Sequence, residues 1–199
     1  MPQRPSGVTG RTPIAIRLST VGAALALGVA LASGCGPAGP ADAGGDAVAP
    51  VEAIDGLPTP DGFEFAERAE EVGAPGLARA LGGDAEAIES SGFRDAAIRT
   101  WDGDERELTA VVGVFSSHGA ALTVTSAASE PVLDRDDGRA WTPSGLNGSR
   151  GARAEGDEPQ ERVLGLAVGP NALIVTARGD VSDEVLEDAV ERLADFAES

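Results

Sequence analysis

Lysine and tyrosine are absent from this chain of 199 residues, and cysteine and histidine occur once each, as Cys35 and His118. His118 is therefore the only candidate base for a Ser-His-Asp triad, and the neighbouring Ser116 and Ser117 are too close in sequence to be its nucleophile. Metal sites built from histidine and cysteine usually need several such ligands. We therefore expect no catalytic residue, no metal site and no cofactor.

The chain also has few positively charged residues. The chain has 15 arginines against 33 aspartates and glutamates, and its formal net charge is −18. Residues 1–34 hold three of the arginines and no acid, so the remainder carries −21. Such a charge repels nucleic acid phosphates and anionic membrane surfaces, so we expect no nucleic acid partner. Abundant alanine, glycine and arginine are typical of a high-GC genome and indicate an actinobacterial origin.

The N-terminus has the layout of an export signal. Arg4, Arg11 and Arg17 precede an apolar run over residues 18–31. A positive head stays on the cytoplasmic side of the membrane while the chain behind it is translocated. The run is marginal as a permanent membrane span, because a bilayer core needs ~20 predominantly apolar residues and this run is rich in glycine and alanine.

The apolar run ends in Ala32-Ser33-Gly34-Cys35, which resembles the lipobox of bacterial lipoproteins, with leucine at position 31 rather than 32. The resemblance implies that the Cys35 thiol receives a diacylglyceryl group, that the signal peptide 1–34 is removed, and that the new N-terminus is acylated, for example with palmitate. We therefore expect a lipid anchor on the extracytoplasmic face of the cell membrane. Two alternatives stay open: an ordinary secretory signal with Cys35 as a stray thiol, and an uncleaved membrane anchor.

The rest of the chain divides into a tether and one domain. The Gly/Pro/Ala-rich stretch 35–60 cannot bury enough apolar surface to offset the entropy of ordering it, so it is predicted to be a flexible tether. Residues 61–199 are predicted to form a single α+β domain. Its first elements are a helix over 63–72, a short helix over 77–81 and a helical turn capped by Asp84.

Two similar strand–turn–strand–helix units follow. The first has predicted strands over 96–101 and 108–115. The segment 120–129 mixes β-branched residues with alanines, and we interpret it as a helix capped by Ser117 because a helix completes the unit.

The second unit has predicted strands over 162–168 and 172–177 and a helix capped by Ser182. Its apolar residues recur at helical spacing up to the end of the chain. The two units together predict an α+β fold with a four-stranded antiparallel sheet and helices on one face.

A long loop over 134–160 is predicted between the two units. Arginine forks suit carboxylates and phosphates, and an exposed tryptophan is a common anchor in binding surfaces, so this loop supplies the candidate ligand- or partner-binding residues Arg139, Trp141, Arg150 and Arg153. In the alternative, these arginines pair with carboxylates of the same segment and Trp141 lies in the core. The acidic run 134–137 could suit calcium, but it misses the EF-hand spacing, so we interpret it as an acidic turn.

No motif assigns a reaction, so we predict a non-enzymatic binding or accessory module of the cell envelope, with an envelope protein or a small apolar ligand as its partner. The first alternative is a carrier of a lipid or other apolar ligand, held between the helix layer and the sheet. The second is a carboxylate-based hydrolase, although no spacing selects a pair of acids and only 4% of the residues are aromatic. A deep apolar pocket would favour the carrier, an exposed Trp141 the binding module, and a cleft with two close carboxylates the hydrolase.

Overall fold

The computed structural model describes residues 46–65, 68–156 and 159–199, which all lie in one compact unit, Ala38–Ser199. The helices of this part are α1 (Pro50–Asp55), α2 (Ala74–Leu81), α3 (Ala85–Ser90), α4 (His118–Ala127), α5 (Glu130–Leu133) and α6 (Asp183–Glu198). The strands are β1 (Glu64–Phe65), β2 (Glu70–Glu71), β3 (Phe93–Gly103), β4 (Arg106–Phe115), β5 (Arg139–Trp141), β6 (Arg150–Ala154), β7 (Glu161–Val168) and β8 (Asn171–Arg178). Among the described residues, no helix is long and apolar enough to cross a membrane. The predicted signal peptide 1–34 and Cys35 lie outside the described residues.

The eight strands of the described part form one antiparallel sheet. Their order is β1-β3-β4-β8-β7-β6-β5, and β2 pairs with β3 as β1 does. The two hairpins β3–β4 and β7–β8 form the centre of the sheet, joined by the pairing of β4 with β8. These are the four strands expected from the sequence. The predicted four-stranded sheet is nevertheless wrong, because four further strands extend it at both edges.

Helices cover both faces of the sheet, so the predicted cover of one face is also wrong. On β4, Leu108 and Val112 point into a first core shared with α1 and α6. Val111 and Phe115 point into a second core shared with α2, α3, α4 and α5. Because both faces are covered, β4 is buried from Leu108 onward without alternating polar positions.

Helix α1 belongs to the first core, although the sequence assigned its residues to the tether. Ile54 is fully buried and Leu57 is buried just after the helix. The buried Arg99 of β3 donates from its guanidinium to the Ile54 carbonyl oxygen at 3.2 Å and lies 3.9 Å from the Asp55 carboxylate. The folded part therefore begins before residue 50, and the predicted boundary at residue 60 is too late. A six-residue helix carries too little signal of its own, and these contacts with β3 stabilise it.

An Ile54→Ala variant is expected to lower the free energy of unfolding by about 3 kcal/mol, because it removes a fully buried side chain and leaves a cavity. Urea unfolding of the unit Ala38–Ser199, followed by tryptophan fluorescence, measures the loss. Glu52→Ala, at an exposed position of the same helix, is the control and is expected to change stability by less than about 0.5 kcal/mol. Equal effects of the two substitutions would exclude α1 from the cooperative fold.

The predicted helix over 63–72 is also wrong. The segment instead contributes the short edge strands β1 and β2, which pair with β3. Pairing with the long β3 hairpin outweighs the helical pattern of a highly charged segment. The next helix, α2, carries proline in its first turn, where proline is tolerated, and ends at Gly82 in the left-handed conformation.

The local helix predictions are confirmed. The Asp84 carboxylate accepts a hydrogen bond from the Ala87 amide at the start of α3, and the Ser117 hydroxyl accepts one from the Ala120 amide at the start of α4. Ser182 is the N-cap residue of α6, as expected. Segment 120–129 is therefore helical in its larger part, as the completed unit required.

Residues 134–160 are not the long loop that the sequence predicted. Strands β5 and β6 form within this segment and extend the sheet beyond β7. Ala152 and Ala154 of β6 are fully buried in the second core, where small side chains allow the helices to approach. Neither β5 nor β6 contains a β-branched residue of the kind that usually marks a strand, so the sequence did not indicate either strand.

Candidate functional site

A cleft of about 450 Å³ opens on the face of the sheet that carries the second core. The C-terminal end of α2 forms one wall, and the α4–α5 junction with Pro131 and Val132 forms the other. Below these helices the central strands continue uncovered. Their side chains form the floor of the cleft, which consists of Ile98, Thr100, Thr109, Val163 and Thr176. We name this site the threonine cleft.

Three threonines cross the floor of the threonine cleft in one row. Thr100 of β3 lies opposite Thr109 of β4, and Thr109 lies opposite Thr176 of β8. The hydroxyl oxygens of Thr100 and Thr109 are 3.0 Å apart and share a hydrogen bond. Thr109 is only 9% exposed. Each hydroxyl can donate one hydrogen bond and accept two, so the row keeps capacity for a ligand.

The position of the row follows from the pleat of the strands. On β4, every second residue faces the second core, and Val111 and Phe115 lie where helices cover the sheet. Thr109 occupies the same face at the point where the helical cover ends. A β-branched side chain with a hydroxyl suits this position, because it packs against the neighbouring strands and still presents a polar atom.

Charged residues of both signs surround the mouth of the cleft. In the next row of the sheet, Glu107 lies opposite Arg178, and Arg178 lies opposite Glu161. Arg178 pairs with Glu161 at 3.1 Å, and the other carboxylate oxygen of Glu161 lies 3.3 Å from Arg135. Arg79 of α2 also lines the cleft. Arg79 is exposed and has no ion pair within the described part of the chain.

A second recess of about 460 Å³ adjoins the threonine cleft along β3. The two share Ile98, Thr100 and Glu107, and the recess continues towards Arg68 and Asp102. The uncovered strand ends therefore form one elongated groove, long enough for a ligand larger than the cleft alone would hold.

The four predicted binding residues do not form one site. Trp141 packs against the first core, and Arg139 lies opposite Arg153 on the same face of the sheet. Arg150 lies on the opposite face and donates to the Ser126 hydroxyl of α4 at 3.3 Å. Arg139, Trp141 and Arg153 therefore share one face of the sheet and only Arg150 is separated from them, because alternate residues of a hairpin point to opposite faces.

The alternative, in which the arginines pair with carboxylates of the same segment, describes Arg153 only in part. Its guanidinium lies 3.9 Å from Glu155 and 3.2 Å from Asp183 at the start of α6. The buried Arg162 shares both carboxylates, at 3.3 Å from Glu155 and 3.0 Å from Asp183. These ion pairs attach α6 to strands β6 and β7. Arg139 is exposed and makes no ion pair with any described residue.

In the acidic turn at 134–137, the Asp137 carboxylate already has hydrogen-bond partners within the protein. Asp137 accepts hydrogen bonds from the Gly156 amide and from Arg135. Both contacts lower the pKa of Asp137 below its usual value, and the Gly156 amide contributes more than Arg135 does. Its two oxygens are thus engaged, which favours the interpretation as a turn. His118 lies 3.1 Å from the Gly169 carbonyl oxygen, at the other end of the sheet from the cleft. No group of three potential metal ligands exists among the described residues.

Comparison with known proteins shows a similar fold in one solved structure. No protein-family model matches the chain, and no curated protein is significantly similar to it. The extracellular domain of PknH from Mycobacterium tuberculosis is similar in structure, with a TM-score of 0.50 and 12% identity over 74% of this chain and 89% of that chain. An uncharacterised protein from Mycobacterium smegmatis has a TM-score of 0.40 and 11% identity over 69% and 88% of the two chains. The first similarity shows a shared fold and leaves the ligand to be inferred from the cleft.

Proposed function

We propose that this protein is a lipid-anchored, non-enzymatic binding module on the extracytoplasmic face of the cell membrane, and that its ligand occupies the threonine cleft. The observation that carries the proposal is the cleft itself, where a row of three threonine hydroxyls lies between the apolar side chains of Ile98 and Val163. Its volume of about 450 Å³ falls in the range of about 300–1,000 Å³ typical of small-molecule sites. The shared fold with an extracellular domain and the lipobox-like sequence before Cys35 support the location.

The lining of the cleft favours a small, peptide-like ligand with charges of both signs. The guanidinium of Arg79 suits a carboxylate, and Glu107 suits an amine. Ile98 and Val163 provide apolar contact, and the threonine hydroxyls suit amide groups. No aromatic residue of the described chain lines this cleft, so the stacking platform that sugar sites favour is missing from it.

The two alternative functions receive less support. The apolar recess between α3 and α4, lined by Leu81, Ile88 and Val124, measures only about 110 Å³, which is small for a lipid chain. A larger recess of about 400 Å³ lies beside α6, but Glu184, Asp188 and Arg192 line it together with Trp101 and Leu108, so it is only partly apolar. For the hydrolase, Glu161 has both carboxylate oxygens engaged in ion pairs with Arg178 and Arg135, so it is not available as a partner acid for Glu107. Trp141 is half-buried, which weakens its proposed role as an anchor for a protein partner.

The test is native mass spectrometry of the full chain, purified from its own membranes and released from detergent micelles. We expect a bound mass that denaturation removes. A Thr109→Val variant is expected to bind this ligand about tenfold more weakly, and to retain as little as about a tenth of the complex when the ligand is scarce, because one lost hydrogen bond worth about 1.4 kcal/mol lowers affinity tenfold. Arg79→Gln is expected to weaken the complex at least as much, since a charge-assisted contact is stronger.

Two matched substitutions serve as controls. Thr142→Val and Arg94→Gln make the same chemical changes at exposed positions that do not line the cleft, and both are expected to retain the bound mass. A wild-type chain without any bound mass, or equal retention by Thr109→Val and Thr142→Val, would contradict the proposal.

A further inference from the structure

The first described residues of the chain are held at one end of the sheet by Asn171. This side chain is fully buried at the start of β8. Its amide nitrogen donates to the carbonyl oxygens of Asp46 at 2.9 Å and Val168 at 3.0 Å, and its amide oxygen accepts from the Val48 amide at 3.1 Å. We call this set of contacts the Asn171 clamp. It attaches the segment before α1 at the β7–β8 turn.

The packing of helix α1 stabilises this attachment. It follows the clamp within two residues, and Pro50, Ala53 and Ile54 are buried against the first core. Freeing the clamped segment would therefore break two hydrogen bonds to the buried Asn171 side chain and would also loosen a packed helix. The chain thus enters the domain at a fixed point.

The threonine cleft lies at the opposite end of the same strands. Asn171 begins β8, whereas Arg178 at the mouth of the cleft ends it. Eight residues of an antiparallel strand span about 25 Å. The pairing of β4 with β8 gives the same arrangement, because Val114 lies beside Asn171 and Glu107 beside Arg178.

We infer that the mouth of the cleft faces away from the bilayer, so that its ligand arrives from the envelope or the medium and not from the membrane lipids. This inference rests on the proposed anchor at Cys35. Only eleven peptide steps separate Cys35 from the clamped Asp46. Eleven peptide steps reach at most about 36–40 Å even when fully extended. The proposed anchor therefore holds the clamped end within this distance of the membrane, and the mouth of the cleft lies about 25 Å farther along β8.

The electrostatics of the domain favour its separation from the membrane surface. The chain after the predicted signal peptide carries a formal charge of −21, which an anionic membrane surface repels. A peptide-like ligand with charged ends, as proposed for the cleft, is water-soluble and needs no path through the headgroups. Access from the side away from the bilayer thus agrees with the polar groups around the mouth.

The experiment measures energy transfer from a fluorophore on the protein to a rhodamine lipid in phosphatidylcholine vesicles. The full acylated chain is labelled at a cysteine introduced either by Ser116→Cys, next to the clamp end, or by Asp104→Cys, in the β3–β4 turn at the cleft end. Both positions are exposed and neither lines the cleft. The ten residues of β4 between them span about 33 Å. We expect at least twofold higher transfer efficiency from position 116 than from position 104.

A second pair, Gly119→Cys and Asp180→Cys, repeats the measurement at other exposed positions of the same two ends. Equal transfer from both ends, or higher transfer from the cleft end, would overturn the inference while leaving the anchor intact. Vesicle flotation is read on the same samples. Failure of the wild-type chain to float with the vesicles would overturn the proposed anchor, and the orientation with it.

Discussion

Replacing Cys35 by alanine is expected to move nearly all of the protein from the membrane fraction to the secreted or soluble fraction, or to leave it as an unprocessed precursor without acyl chains. The lipobox resemblance makes the thiol the only acceptor for the diacylglyceryl group, since the chain has no other cysteine. Each buried methylene contributes about 0.8 kcal/mol, and two chains hold a protein stably where one holds it only reversibly. Removing the acceptor removes this entire contribution.

Cell fractionation and intact-mass measurement of the N-terminus check the result. The wild type is expected to begin at Cys35 and to carry the added mass of the acyl chains. Ser33→Ala exchanges one small residue for another within the lipobox-like sequence and is expected to leave processing unchanged. A wild-type protein that keeps residues 1–34 and carries no acyl mass would instead favour an uncleaved membrane anchor.

Sequence patterns predicted the elements that local signals determine. The hairpins β3–β4 and β7–β8 have apolar runs on both sides of turn residues, and the caps Asp84 and Ser117 mark the starts of their helices. Such signals act over a few residues and survive in almost any tertiary context. The centre of the fold was therefore predictable from the sequence.

The edges of the fold depend on tertiary contacts that the sequence does not display. Strand β6 consists of arginine, glycine and alanine, and its stability comes from pairing with β7 and from burial of its alanines under the helices. Helix α1 depends on the buried Arg99 and on the first core. Neither segment has a periodic pattern long enough to reveal its partners.

The threonine cleft was missed for a related reason. Its floor comes from four strands, and no single strand contributes more than two of its residues, Ile98 and Thr100 of β3. One signal was present: Thr109 interrupts an otherwise apolar run in a strand that is buried on both faces. Its register with Thr100 and Thr176 could be recognised only once the pairing of β4 with β8 was known.

A Gly179→Ala variant is expected to lower the free energy of unfolding by about 4 kcal/mol and to disturb the mouth of the cleft. Gly179 has a φ of +80°, a conformation that L residues rarely adopt and that costs about 1–3 kcal/mol. A Cβ atom there would also overlap the Glu105 carbonyl oxygen of the β3–β4 turn. Overpacking of this kind adds about 1–3 kcal/mol. The turn has little freedom to yield, because Glu105 itself is held at a φ of 57°.

Gly148→Ala separates the two contributions. Gly148 has a φ of +84°, but a Cβ atom there would meet only the Leu166 side chain, at 3.9 Å. We therefore expect it to lose about 1–2 kcal/mol in the same urea unfolding experiment, from backbone strain alone. Because Gly179 follows Arg178 directly, displacement of the β3–β4 turn would also shift Glu107 and Arg178 at the mouth. Under conditions where Gly179→Ala remains folded, it is expected to lose the bound mass that Gly148→Ala retains. Equal stability and equal ligand retention in the two variants would show that close packing at Gly179 does not support the cleft.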